Sequence, residues 1–297
     1  TRRPRWGAAC AAGLATLLLA FGGTASAGIA DTRHNLGTGT GIAGRTQSSS
    51  TAEICVFCHT PHGADTAAPA PLWNKRLGTS GAPAGGGTYK SYATLNTPSL
   101  DGTVAEVGSV SMACLSCHDG TQAMDNIINA PGSGGYDATG GGNAGLGWTW
   151  AGATATADGV MQNTTSRISM LGTDLSNDHP IGIQYCGGAT TGTTGLGGSG
   201  TSVSGTCKDG DFVMPKTASI NSAQAFWIDT GTVNSVRERT DLPLYPRTDL
   251  GPLVECGSCH DPHVSTGQSG PNSLTAGETF LRIANAGSAV CLACHVK

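Results

Sequence analysis

The chain has 297 residues, of which 46 are Gly, 12% are charged and 5% are aromatic. So few large apolar side chains cannot offset the conformational entropy of folding by themselves, which excludes an ordinary side-chain-packed core unless something else fills it. The net charge of −4 removes any electrostatic case for a nucleic-acid partner.

Arg2, Arg3 and Arg5 precede an apolar run from Ala8 to Phe21, and Ala25-Ser26-Ala27 follows as an A-x-A site. This is the pattern of a secretory signal peptide over residues 1–27, with the mature chain starting at Gly28. The apolar run is short for a retained membrane span. Cys10 sits at the start of the run rather than following it, which argues against a lipid-anchored cysteine.

Four C-x-x-C-H motifs come next in chain order: Cys55/Cys58/His59, Cys114/Cys117/His118, Cys256/Cys259/His260 and Cys291/Cys294/His295. Each is a c-type haem attachment signature. Two thiols at this spacing bond the two vinyl groups on one porphyrin edge, and the next histidine reaches the iron from the same side. A zinc site has no reason to place His directly after the second Cys four times over. The cofactor expected is therefore four covalently attached c-type haems.

The remaining histidines are His34, His62, His179 and His263, one for each haem. This count predicts bis-histidine ligation throughout. The alternative leaves His34 and His179 at the surface and uses a methionine (Met112, Met124, Met161, Met170 or Met214) as a sixth ligand. His62 and His263 each follow a motif in the form C-x-x-C-H-x-P-H, with Pro61 and Pro262 stiffening the link. A residue three positions from the proximal histidine cannot wrap around the same porphyrin. His62 and His263 should therefore each serve another haem and draw two haems together.

Between and around the motifs the elements read as follows. Leu72 and Trp73 follow a Pro-rich turn and should pack on a porphyrin face. Met112 to Ile128 and Ser219 to Ile228 read as short helices. Gly147 to Ala155 alternates as a hairpin arm, with Trp148 and Trp150 on one face. Asn163-Thr164-Thr165 is a formal glycosylation sequon of the kind chance supplies in a Thr-rich chain. Cys186 and Cys207 flank a Gly/Thr-rich insert, and in an oxidising compartment they should form a disulfide. The expected fold is a haem-organised multihaem cytochrome, mostly loop or irregular, with a few short helices and little strand. It occupies one domain over residues 28–297. Porphyrins would supply its core, so the haem-free chain should not fold.

The chain also reads as a duplication. Each half, 28–131 and 176–297, carries a lone histidine (His34 or His179), then C-x-x-C-H-x-P-H, then C-L-x-C-H, with a Gly-rich linker and the insert between the two motif sets. By equivalence His179 caps the iron at His118, and His34 caps the iron at His295 of another subunit. His62 and His263 then exchange haems. A wholly intramolecular scheme, with His62 and His263 serving the haems at His118 and His295, remains open.

These motifs resemble the doubled-CXXCH multihaem cytochromes. With a histidine soon after the signal and low-complexity filler, the chain is similar to the OmcE-type tetrahaem cytochromes, which form extracellular filaments called cytochrome nanowires. The resemblance implies a continuous haem stack, head-to-tail assembly with copies of itself, and a histidine donated across each joint, which maps onto His34. It covers the haem framework and not the Gly/Thr-rich insert. The function expected is long-range extracellular electron transfer; the alternative is a discrete periplasmic or cell-surface tetrahaem shuttle. Six-coordinate iron leaves no place for substrate, so no enzymatic activity is expected. Other redox proteins or extracellular acceptors are the remaining partners.

Overall fold

The computed structural model describes residues 28–39, 45–132, 135–140, 144–152, 154–165, 168–188, 190–191, 206–231, 236–247, 250–264 and 280–296. The signal peptide expected over residues 1–27 lies outside these residues. Among them, no helix is long and apolar enough to cross a membrane.

The expectation of little strand is overturned. β1 (Gln47–Ser48) pairs antiparallel with β2 (Trp150–Ala151). β3 is Ile183–Gln184, and β4 (Thr190–Thr191) pairs with β5 (Thr206–Cys207). β6 (Lys216–Ile220), β7 (Ala223–Ile228), β8 (Leu242–Arg247) and β9 (Gly251–Val254) join β3 in a five-stranded antiparallel sheet of order β3-β9-β8-β7-β6.

The segment expected as a helix over Ser219 to Ile228 is instead most of a hairpin. Asn221 and Ser222 take φ of 51° and 65°, the conformation of a two-residue type I′ turn. Ala and Gln are good helix formers, but propensity is a weak determinant and tertiary packing overrides it here. Phe226 and Ile228 lie opposite Leu244 and Leu242. All four pack with Val254, Tyr185 and the Cys186–Cys207 disulfide. Trp227, on the other face of the strand, is fully buried too. Burial on both faces removes the alternation by which a strand is read from sequence.

The helix expected over Met112 to Ile128 is shorter, Ser111–His118. Gly120 at φ 70° ends it in the left-handed conformation that suits glycine. Asp119 then accepts from Tyr89 Oη (2.6 Å) and Thr121 N (2.8 Å), which commits the chain to a turn. The expected hairpin arm at Gly147 to Ala155 is reduced to β2. Trp148 and Trp150 do share a neighbour there, packing on Phe57 with ring centres 5.7 and 5.8 Å away.

Among the described residues, the buried apolar side chains gather in three clusters. The sheet cluster reaches Cys294 of the fourth motif. A second joins Val56 and Phe57 of the first motif to Met124 and Ile127. A third joins Met112, just before the second motif, and Leu115 within it to Tyr89, Val107 and Leu175.

Candidate haem centres

Each motif sits on a short helical turn: Cys55–Phe57, Ser111–His118, Cys256–Cys259 and Ala289–Cys294. In the first, third and fourth, the same backbone clasp holds the proximal histidine. His59 bridges Trp73, His260 bridges Leu281, and His295 bridges Phe212. The amide after each bridging residue donates to the carbonyl of the second cysteine: Asn74 to Cys58, Arg282 to Cys259 and Val213 to Cys294, all at 2.9 Å. The amide after each histidine donates back, Thr60 to Leu72, Asp261 to Phe280 and Val296 to Asp211. Leu72 and Phe280 even share a positive φ, 52° and 58°. Sequence reasoning singled out Leu72 and Trp73 but missed the other two clasps, because the clasping segment lies after the motif in two cases and far before it in the third.

Backbone carbonyls orient two of the imidazoles. His59 Nδ1 bonds the Pro71 carbonyl at 2.8 Å, and His118 Nδ1 bonds that of Ser169 at 2.6 Å. A carbonyl only accepts, so each Nδ1 carries the proton and each Nε2 is left bare as a metal ligand.

Two pairs of histidines from distant parts of the chain come together. The rings of His59 and His263 lie 6.0 Å apart, their planes within 19°. Those of His34 and His118 lie 6.1 Å apart, at 81°. Two metal–imidazole bonds of about 2.0 Å with a ring beyond each give a separation of about 6 Å. Both pairs therefore have the ring separation expected of two ligands on one iron. Phe280 stacks on the other side of His34 at 4.1 Å. Burial, then the neighbouring His118, pushes the His34 pKa down to about 3, and its Nδ1 is shielded without a hydrogen-bond partner. The ring is held neutral, the form that binds metal. His118 is likewise lowered by burial. Asp261 raises His263, which remains half exposed.

The sequence sends His34 to the His295 iron of a neighbour and His179 to the His118 iron. In the structure it is His34 that stands beside His118 in the same chain. His179 is exposed, with Nδ1 on its neighbour Pro180 (3.0 Å). His263 beside His59 is half of the exchange considered above. His62 is exposed. Of the methionines, Met214 lies against the disulfide, 3.6 Å from Cys207 Sγ. Met124 is buried with Phe57.

The cysteines of successive motifs adjoin. Burial pushes the Cys58 thiol up to about 12, with Cys117 of the second motif adding to it. Cys114 and Cys256 are within hydrogen-bonding reach, which raises Cys114 and lowers Cys256. Cys294 is pushed up to about 12 by burial and then by Cys259. The neighbouring thiols thus link the first motif to the second, the second to the third and the third to the fourth. Buried Glu255 ties the second and third together. It accepts from Ser111 Oγ (2.6 Å), pairs with Arg247 and caps the turn Cys256–Cys259. Burial raises its pKa, against the pull of Ser111 and Arg247.

No protein-family model matches the chain, and no curated protein matches it. Among the described residues, no group of three or more His, Cys, Asp or Glu converges as a free metal ion would need.

Proposed function

We propose that the protein carries electrons along four covalently attached c-type haems, each with two axial histidines. The observation that carries this reading is the pair of imidazole couples, His59/His263 and His34/His118, each at the spacing of one shared iron and each built on an attachment motif. A bound haem supplies reversible one-electron chemistry. The chain's residues attach it, orient its axial rings and exclude other ligands. Two imidazoles on one iron leave no position for substrate, so the reading is of a conduit and not an enzyme. The order of the adjoining thiols supports a row of haems running from the first motif to the fourth.

We extend the reading to head-to-tail assembly in an exported, extracellular filament. Leu292 and Val296 beside the fourth motif are 51% and 54% exposed, and His62 and His179 are exposed elsewhere. Burying that apolar face in a copy of the chain would continue the haem row. His34, lying against His118, would stay within its own subunit. A discrete tetrahaem shuttle is the same chemistry without the joint.

The test is to produce the protein in a host that attaches c-type haem and weigh it. Four added haem masses, a low-spin ferric spectrum and no carbon monoxide binding to the reduced form are expected. Fewer haems, or a carbon monoxide complex, would overturn the bis-histidine reading.

A further inference from the structure

The two H-x-P-H turns differ in the residue that follows the proximal histidine. In the first it is Thr60, whose Oγ1 accepts from His62 N (3.4 Å) and donates to His62 O (2.8 Å). These contacts touch the backbone of His62 and not its ring. In the second it is Asp261. Its Oδ1 takes both His263 N (3.0 Å) and the ring Nδ1 (3.2 Å). Its Oδ2 takes Arg282 Nη1 (3.2 Å), and Arg282 Nε is anchored on the Gly257 carbonyl (3.0 Å). Arg282 is also the clasp residue on Cys259. The carboxylate is therefore fixed from two sides, and its free direction is the His263 ring.

We propose that Asp261 is a positioning and tuning residue, which locks His263 with Nε2 toward the iron it shares with His59 and lowers the reduction potential of the haem on Cys55 and Cys58. This rests on the haem reading above. A carboxylate acceptor makes Nδ1–H a charge-assisted bond and the ring a stronger donor. A more electron-rich imidazole favours the ferric over the ferrous iron. On the other side of that iron, His59 donates to a neutral carbonyl. The asymmetry is built in by one residue, Asp where the sister turn has Thr.

The experiment uses the full haem-loaded protein and its variants Asp261→Asn, Asp261→Thr, Asp261→Glu and Thr60→Asp. Haem content is measured first, then potentials by optical redox titration, with electron paramagnetic resonance of the ferric state. Four haems are expected in each. Asp261→Asn and Asp261→Thr should shift one of the four midpoint potentials upward and change one low-spin signal, while Asp261→Glu stays close to the parent. Four haems with all potentials unmoved in the Asn and Thr variants would overturn the proposal and leave the haem reading intact. Absence of haem from the parent protein would instead defeat the haem reading. Should the Asp261 variants fail to load, Thr60→Asp decides, because it offers the same carboxylate to His62. A downward shift of one potential supports the proposal, and four unmoved potentials overturn it.

Discussion

Lys75 is fully buried, and its ammonium group donates to the carbonyl oxygens of Ala123, Met124 and Asn126 at 2.9, 3.2 and 3.1 Å. Three acceptors use all three N–H bonds of the charged form. Lys75→Met would strand three carbonyls in the interior. The expected loss is on the order of 3 kcal/mol, read from urea unfolding of the haem protein. A change under about 1 kcal/mol would show that the carbonyls find other donors. Asp261 gives a pH dependence with a definite sign. The hydrogen bond from His263, then Arg282, holds its carboxyl at about 2, below its ordinary 3.8. A depressed carboxylate contributes stability that is present above 3.8 and is lost as pH falls toward 2. Asp261→Asn should remove that acid-side loss from a pH titration of stability. The four C-x-x-C-H motifs stand out in the sequence because their pattern is local, written in five consecutive residues. Lys75 and the Arg282 anchor do not, since each acquires its meaning from a segment about 20 to 50 residues away.

At the scale of elements, the missed sheet has specific causes. β8 reads LPLYPR, and proline argues against a central strand, yet β8 lies in the middle of the sheet with Pro246 opposite Pro252. β7 ends in three successive buried residues, Phe226, Trp227 and Ile228, so it lacks the period of two. The turn between β6 and β7 uses Asn221-Ser222 rather than the Asn-Gly that marks a type I′ hairpin. The disulfide was readable because two cysteines remained after the haem motifs were counted. It closes a separation of 21 residues beside the sheet cluster. Replacing both cysteines by serine should cost about 3 kcal/mol in denaturant unfolding while the haem spectrum stays unchanged. A changed low-spin spectrum would mean that the sheet also orients the fourth haem. Phe226→Ala, which empties the same cluster, should cost about 3–5 kcal/mol.

At the scale of the molecule, three apolar clusters among the described residues each back at least one C-x-x-C-H motif, and the clasps bring distant segments to the motif histidines. Porphyrins set among them would join the clusters into one interior. The chain expressed without haem attachment should therefore show no cooperative thermal transition by calorimetry. A sharp transition would mean that the protein packing alone suffices. The duplication visible in the motifs extends to the clasps of the first and third, but the five-stranded sheet lies wholly in the second half. The pairing of His34 with His118 was not legible, because motif equivalence assigned both rings elsewhere. Leu36, in one apolar cluster with Met124 and Cys117, brings the two segments together, and Phe280 stacks on His34. The most direct test is to locate the irons in the haem-loaded protein by electron cryo-microscopy or crystallography. The account predicts one iron between His59 and His263, one between His118 and His34, and four irons in a row in chain order. An iron at His59 or His118 with an open face, or capped by any other residue, would contradict it.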